Sequence, residues 1–217
     1  MGGKNILFKN REESTKELLE ALPLQKMKDE NWIVIATSAN GVPIANEISK
    51  HINSDFDFMF SEKLYAPLNH ECEIAIVTEN QEVVIHEELV KSFDIDLDFI
   101  YGQAEILYQV TILSYLAQYR DGKGIHNLEH QNVLLVDEGL NTGLTMMACI
   151  KTSISLGAKS VSVAVPIIPA ATVGDIESIA DDLYCPNILE HFVAIDFYYD
   201  QLEEISFEKV KKILQKD

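Results

Sequence analysis

The chain has 217 residues, 47% of them hydrophobic and 24% charged, and a formal net charge of −18 at pH 7. This composition supports a buried core and excludes a disordered or fibrous chain, since only ten Gly and six Pro occur. The acidic excess opposes nucleic-acid backbones, whose affinity rests on neutralised phosphates, and no apolar run nears the roughly 20 residues of a membrane-spanning helix.

The start, Met1 to Lys9, lacks the apolar stretch of a secretory leader. Gly2 and Gly3 suit a tag remnant or flexible start better than myristoylation, because Ile6 stands where Ser or Thr is required. A cytoplasmic, soluble protein with no membrane partner is expected. Asn10-Arg-Glu-Glu13 reads as a helix start capped by Asn10, ending at Pro23. Trp32–Ala36 is an apolar run typical of a strand buried on both faces. Thr37–Gly41 follows as a loop, and Val42 to His51 has helical spacing. Phe56–Phe60 is the next predicted strand. Glu62 to Glu71 carries Pro67 and Asn69 and is expected to be a loop. Glu73–Val77 and Glu82–Ile85 flank Thr78–Gln81 as a β-hairpin.

Asp96 to Tyr119 is predicted as a long helix with apolar positions near a 3.6-residue period. Asp94, Asp96 and Asp98 fit a solvated entry to it rather than a calcium loop. Asp121–Gly124 breaks the pattern. Val133–Val136 is another buried strand, and a helix is expected from Thr142 to Leu156. Ser160–Val165 is a strand, Val173–Leu183 a helix, Phe192–Ile195 a short strand and Phe207–Gln215 a final helix. Alternating strands and helices predict an α/β fold, a parallel β-sheet flanked by helices. The segment at about 62–125 breaks the alternation, so a hairpin-plus-helix hood or flap is expected within a single domain spanning 1–217.

Cys72, Cys149 and Cys185 are odd in number and far apart, which fits reduced thiols rather than a disulfide framework or zinc site. His126 and His130 lie in a predicted loop with no third ligand nearby, so no metal is expected there. The two arginines, Arg11 and Arg120, are placed at a helix start and a helix end, where both fit structural roles. Tyr198 and Tyr199 are read as ordinary core or surface aromatics.

The strongest local signal is Val133-Leu-Leu-Val-Asp-Glu-Gly-Leu-Asn-Thr-Gly-Leu-Thr145. An apolar strand fixes its carboxyl end, where ligands bind in open α/β sheets. Asp137 and Glu138 follow at once, and carboxylates accept hydrogen bonds from a diol. Gly139, Asn141 and Gly143 permit a tight turn into a helix N-terminus, whose N–H groups attract a phosphate. Thr142 and Thr145 add hydroxyl donors. One loop can therefore hold a sugar by its diol and its 5-phosphate. Neither a Gly-x-Gly-x-x-Gly fingerprint nor a P-loop is present.

This stretch resembles the phosphoribosyl pyrophosphate signature of the type I phosphoribosyltransferases. The chain looks most like a subgroup of stand-alone predicted members that begin Phe-x-x-Arg, here Phe8 to Arg11, and carry Lys-x-x-Ala-Pro-x-Asn-x-Glu, here Lys63 to Glu71. Asp196-Phe-Tyr-Tyr-Asp200 echoes their C-terminal pattern. The resemblance implies that Asp137 and Glu138 bind the ribose hydroxyls. It also implies that Gly139, Leu140, Asn141, Thr142, Gly143, Leu144 and Thr145 form the 5-phosphate loop. Thr37, Ser38, Ala39, Asn40 and Gly41 correspond to the pyrophosphate loop, and Lys63 lies near the pyrophosphate. Mg2+ would be carried by substrate oxygens, with Asp137 and Glu138 as the nearest protein groups.

The implied activity is transfer of a phosphoribosyl group to a base or other small nucleophile with release of pyrophosphate, in a protein that is a homodimer in many relatives. The pyrophosphate loop departs from the subgroup's Pro-Arg-Gly-Gly, having Ser38-Ala-Asn-Gly41. A loop without its arginine keeps open a second reading, a non-catalytic regulator that binds phosphoribosyl pyrophosphate or a nucleotide. A third is a structural relic.

Overall fold

The structure is a computed structural model describing residues 5–67 and 69–215; the expectation for Gly2 and Gly3 lies outside these residues. In chain order, α1 (Arg11–Ala21) and α2 (Leu24–Lys28) precede β1 (Trp32–Ala36), α3 (Val42–Ile52) and β2 (Asp55–Phe58). Next come β3 (Ser61–Ala66), β4 (Asn69–Thr78), β5 (Val83–Ile85), α4 (Glu87–Ser92), α5 (Leu97–Leu107), a π-helical turn (Tyr108–Ile112) and α6 (Leu113–Arg120). The chain then runs through β6 (Asn132–Val136), α7 (Leu144–Ser155), β7 (Ser160–Ala164), β8 (Ile167–Pro169), α8 (Ala170–Glu177), β9 (Asp182–Tyr184) and β10 (Asn187–Leu189). A 3-10 turn (Ile195–Tyr198) and α9 (Phe207–Leu214) follow.

β1 and β6 have no polar alternation because both their faces are covered. They lie side by side in a five-stranded parallel sheet of order β2-β1-β6-β7-β9, with Ala36 opposite Val136. Alternate residues feed two cores. Val34, Ala36, Leu134 and Val136 pack with α3, while Ile33, Ile35, Val133 and Leu135 pack with Met146, Cys149 and Ile150 of α7. The chain leaves β1 towards β2 on one side and leaves β6 towards β7 on the other. The carboxyl ends of β1 and β6 therefore flank a topological switch point, where the crevice of an open α/β sheet forms.

Residues 61–120 stand outside this sheet. β3, β4 and β5 make a three-stranded antiparallel sheet. Ile74, Ala75 and Val77 face Ile100, Ala104 and Ile112 within one core, while Ile76 and Val84 meet Leu144 and Ala148 of α7. The predicted hairpin is thus present, whereas the loop expected from Glu62 to Glu71 is largely strand. Leu64 and Ala66 are buried and alternate with exposed Lys63 and Tyr65, a two-residue period that becomes decisive only once β4 pairs with it.

Two C-terminal expectations also change. The helix placed at Val173–Leu183 ends at Glu177, because Asp182–Tyr184 completes the sheet edge against β7. Phe192–Ile195 is not a strand. The Tyr198 hydroxyl accepts from Val193 N and donates to His191 O, folding this stretch over the core of Phe8, Ile167, Tyr198 and Tyr199.

Candidate functional site

β1 ends at Ala36 and β6 at Val136, so the two loops that follow emerge as neighbours. Gly41 permits a close approach: a Cβ there would lie 2.9 Å from Val136 O. Gly143 caps α7 with φ +75, a backbone that favours glycine, and a Cβ there would meet Thr172 at 2.5 Å. The predicted helix start at Thr142 is thus two residues early.

The two loops are bonded to one another through the acidic pair. Thr37 Oγ1 donates to Asp137 Oδ2 at 2.7 Å, and Ser38 Oγ and Glu138 N donate to Oδ1 at 2.6 and 2.8 Å. Asn40 Nδ2 donates to Glu138 Oε1 at 2.8 Å. Arg11 reaches Glu138 Oε2 with Nε at 3.2 Å and Nη2 at 2.7 Å, across 127 residues of sequence. Burial raises both carboxyls above their usual range. The donors from Ser38 and Thr37 oppose this at Asp137, and Arg11 opposes it at Glu138.

The C-terminal segment completes the arrangement. Arg11 Nη2 also donates to Glu203 O at 2.9 Å, Ile205 N donates to Asn40 Oδ1 at 3.0 Å, and the Tyr199 hydroxyl donates to Glu138 O at 3.0 Å. Phe8 is fully buried and lies 5.0 Å from the Tyr199 ring, which seats the first turn of α1 beside Glu138. Arg11 is therefore part of the site's framework, beyond the helix-start role expected of it. Its pairing partner is distant in sequence, so the signal available was its scarcity and its spacing from Phe8.

In front of the acidic pair lies a cleft of about 760 Å³. Thr37, Ser38, Ala39, Asn40, Lys63 and every residue from Asp137 to Thr145 line it, so the predicted site residues converge, except Gly41, which packs behind. Its opposite wall includes Phe60, Glu62, Tyr115 and Phe207, which sequence reasoning did not single out. Tyr115 and Phe207 stack at 5.2 Å. Five carboxylates line the cleft (Glu62, Glu71, Glu73, Asp137 and Glu138) against one lysine. Lys63 lies 2.7 Å from Glu73; burial opposes its charge, but Glu73 lifts its pKa above the usual value.

Arg120 is elsewhere. It bonds Glu79, lies 3.7 Å from Asp57 and covers the Phe60 ring at 4.7 Å. The structural reading of Arg120 matches this placement, and the carboxylates of Glu79 and Asp57 occupy its charge. His126 Nδ1 meets the same Asp57 at 2.8 Å. Among the described residues, no group of three or more His, Cys, Asp or Glu side chains forms a metal site, and no helix is long and apolar enough to cross a membrane. Both acids of the pair already accept protein hydrogen bonds, so this donor set fits a Mg2+ ion carried on substrate phosphates with few protein ligands.

The parallel sheet, the switch-point cleft and the acid pair followed by a glycine-capped helix match the arrangement expected from the type I phosphoribosyltransferase resemblance. A family profile for the phosphoribosyl transferase domain matches residues 5–201, and the chain belongs to that family, of the type I kind. A Mycobacterium tuberculosis H37Rv protein named "Putative phosphoribosyl transferase" is 24% identical over 210 residues, covering 97% of this chain but 47% of that protein. The chain thus spans about half the length of the curated relatives it matches.

Among solved structures, TT1426 from Thermus thermophilus aligns with TM-score 0.76 and 23% identity over 95% of this chain and 97% of that one. A hypoxanthine phosphoribosyltransferase from Staphylococcus aureus gives TM-score 0.50 and 16% identity over 87% and 79%. A hypothetical protein from Neisseria gonorrhoeae with bound ppGpp gives 0.51 and 14% over 99% and 98%. These likenesses show the fold.

Proposed function

We propose that the chain is a single phosphoribosyltransferase domain that binds phosphoribosyl pyrophosphate in the switch-point cleft and transfers the phosphoribosyl group to a base or another small nucleophile. The observation that carries this is the convergence of the acid pair, the 37–41 loop and the glycine-capped start of α7 on one cleft. Asn141 to Thr145 would receive the 5-phosphate at the α7 N-terminus. Asp137 and Glu138 would accept from the ribose hydroxyls. The 37–41 loop and Lys63 would face pyrophosphate, and residues 62–125 would form a hood over the acceptor.

In this mechanism the chain's own part is positioning and charge. Pyrophosphate departs from the anomeric carbon as an oxocarbenium-like state develops, stabilised by the fixed carboxylates. Asp137 and Glu138 are held in place by five side-chain donors, counting Arg11 Nε and Nη2 separately, so they need little rearrangement when the sugar arrives. Mg2+, when bound with the substrate, would supply neutralisation of the pyrophosphate charge. One lysine among five carboxylates makes that contribution essential. A cytoplasmic homodimer is part of the same reading.

A second reading is a regulator that binds the same sugar phosphate, or a nucleotide, without turnover. The Ser38-Ala-Asn-Gly41 loop, which lacks arginine, favours it, and the ppGpp-bound Neisseria protein of similar fold gives it a ligand class. Calorimetric titration with phosphoribosyl pyrophosphate, with and without Mg2+, followed by pyrophosphate release with pooled bases, separates the two. Binding with release supports the transferase. Binding of phosphoribosyl pyrophosphate or ppGpp without release supports the regulator. No binding by either ligand removes both.

A further inference from the structure

The helical arm of residues 97–120 has an outer face that no other described residue of the chain covers. The π turn at Tyr108–Ile112 takes in an extra residue, so the inward positions step by four through buried Ile100 and Ala104, half-buried Tyr108, and buried Ile112 and Leu116. The exposed face steps by four as well, through Gly102, Ile106, Val110 and Ser114. Val110 is 69% exposed, Ile106 54% and Leu113 37%. Contiguous exposed apolar surface of this kind marks a contact site.

Charge selects the occupant. The chain carries −18 and is 24% charged, yet Phe99 to Tyr119 contains a single charged residue, Glu105. A second copy would be repelled by most of this surface and least by this face. No Lys or Arg lies between Lys91 and Arg120, which removes the basic flank that a membrane-lying helix needs. The face is also self-complementary. Val110, Leu113, Ser114 and Ala117 are spaced i, i+3, i+4 and i+7, the four residues of a hole, and Ile106 is a knob one turn away. A two-fold axis near Val110 places each Ile106 in the other copy's hole, as an isologous contact requires.

We propose that two copies of this chain pair through antiparallel contact of residues 97–120, with Val110 at the two-fold axis. The proposal rests on the homodimer reading above and adds its surface. The seam is about 36 Å long at 1.5 Å per residue, so by itself it makes a small interface, and association is expected to depend on concentration.

The test is sedimentation velocity of the full chain over a dilution series, with Val110→Glu and Val110→Cys variants. Helices packed about 8–10 Å apart bring facing Cα atoms within disulfide range. Val110→Cys should therefore form a covalent dimer with oxidised glutathione, well above the wild-type background from Cys72 and Cys185. The expected result is a wild-type dimer that dissociates on dilution, a Val110→Glu monomer that melts as the diluted, dissociated wild type does, and a cross-linked Val110→Cys. A wild-type monomer at every concentration overturns both this surface and the dimer reading. A Val110→Glu dimer, or a Val110→Cys dimer that does not cross-link, overturns this surface and leaves the dimer reading standing. Val110→Cys is nearly isosteric, so its result holds even if Val110→Glu folds poorly.

Discussion

Removing the Arg11 guanidinium should expose how Glu138 is held. In Arg11→Gln, Glu138 keeps only Asn40 as a side-chain donor, in a position where its side chain is 8% exposed. Stripping the partner from a fully buried ion pair costs about 3–5 kcal/mol. Arg11 itself is 14% exposed, and Asn40 remains, so a loss of about 2–3 kcal/mol is expected. For a chain of this size that corresponds to a drop of roughly 4–12 °C in melting temperature.

The assay is urea and thermal unfolding of Arg11→Gln, Glu138→Gln and the double variant. The double variant should recover at least about 1 kcal/mol relative to the sum of the singles, because no unpaired carboxylate remains. The pH dependence has a definite sign. Burial already raises the Glu138 pKa, with Arg11 opposing, so losing Arg11 raises it further. A folded-state carboxyl that holds its proton to higher pH destabilises progressively as pH rises through that value. The Arg11→Gln deficit should therefore shrink as pH falls from 7 towards 5. Strict additivity of the two substitutions, together with a deficit flat over that range, would refute the clamp.

Other expectations follow from the same geometry. Asp137→Asn combined with Glu138→Gln should weaken ribose 5-phosphate binding at least tenfold in calorimetry, and unchanged affinity would remove the ribose assignment. Gly143→Ala forces a side chain onto φ +75 and against Thr172, and should cost about 1–3 kcal/mol in chemical denaturation while also weakening 5-phosphate binding.

His126 gives a pH signature of its own. The hydrogen bond that His126 donates to Asp57 raises the His126 pKa above its ordinary 6.5, burial opposing. Its contribution to stability is thus full below 6.5 and is lost as pH rises through the raised value. The melting difference between wild type and His126→Gln should narrow from pH 6 to pH 9, and a widening gap would contradict the pairing.

The parallel sheet was legible because Trp32–Ala36 and Val133–Val136 are continuous apolar runs, a pattern that only two-sided burial explains. The cleft loop at 137–145 was legible because its strand, acids and glycines are contiguous in sequence. What escaped was everything decided by distant partners. β3 depends on β4, and the short edge strand Asp182–Tyr184 depends on β7. The environment of Arg11 is set by Glu138 and Glu203, which no local pattern around position 11 can announce. Ser38 and Asn40 fall in the implied pyrophosphate loop, but nothing local announces that their side chains tie the two loops together.

The bonds from Glu203 and Ile205 to Arg11 and Asn40 also set an order of events during synthesis. The sheet strands β1, β2, β6 and β7 and both loops emerge from the ribosome first and can pack as they appear. The acid pair is not fully braced until residues 199–205 have left the exit tunnel, since Tyr199 and Ile205 hold Glu138 and Asn40 from behind. A nascent chain therefore has its sheet before it has a finished cleft.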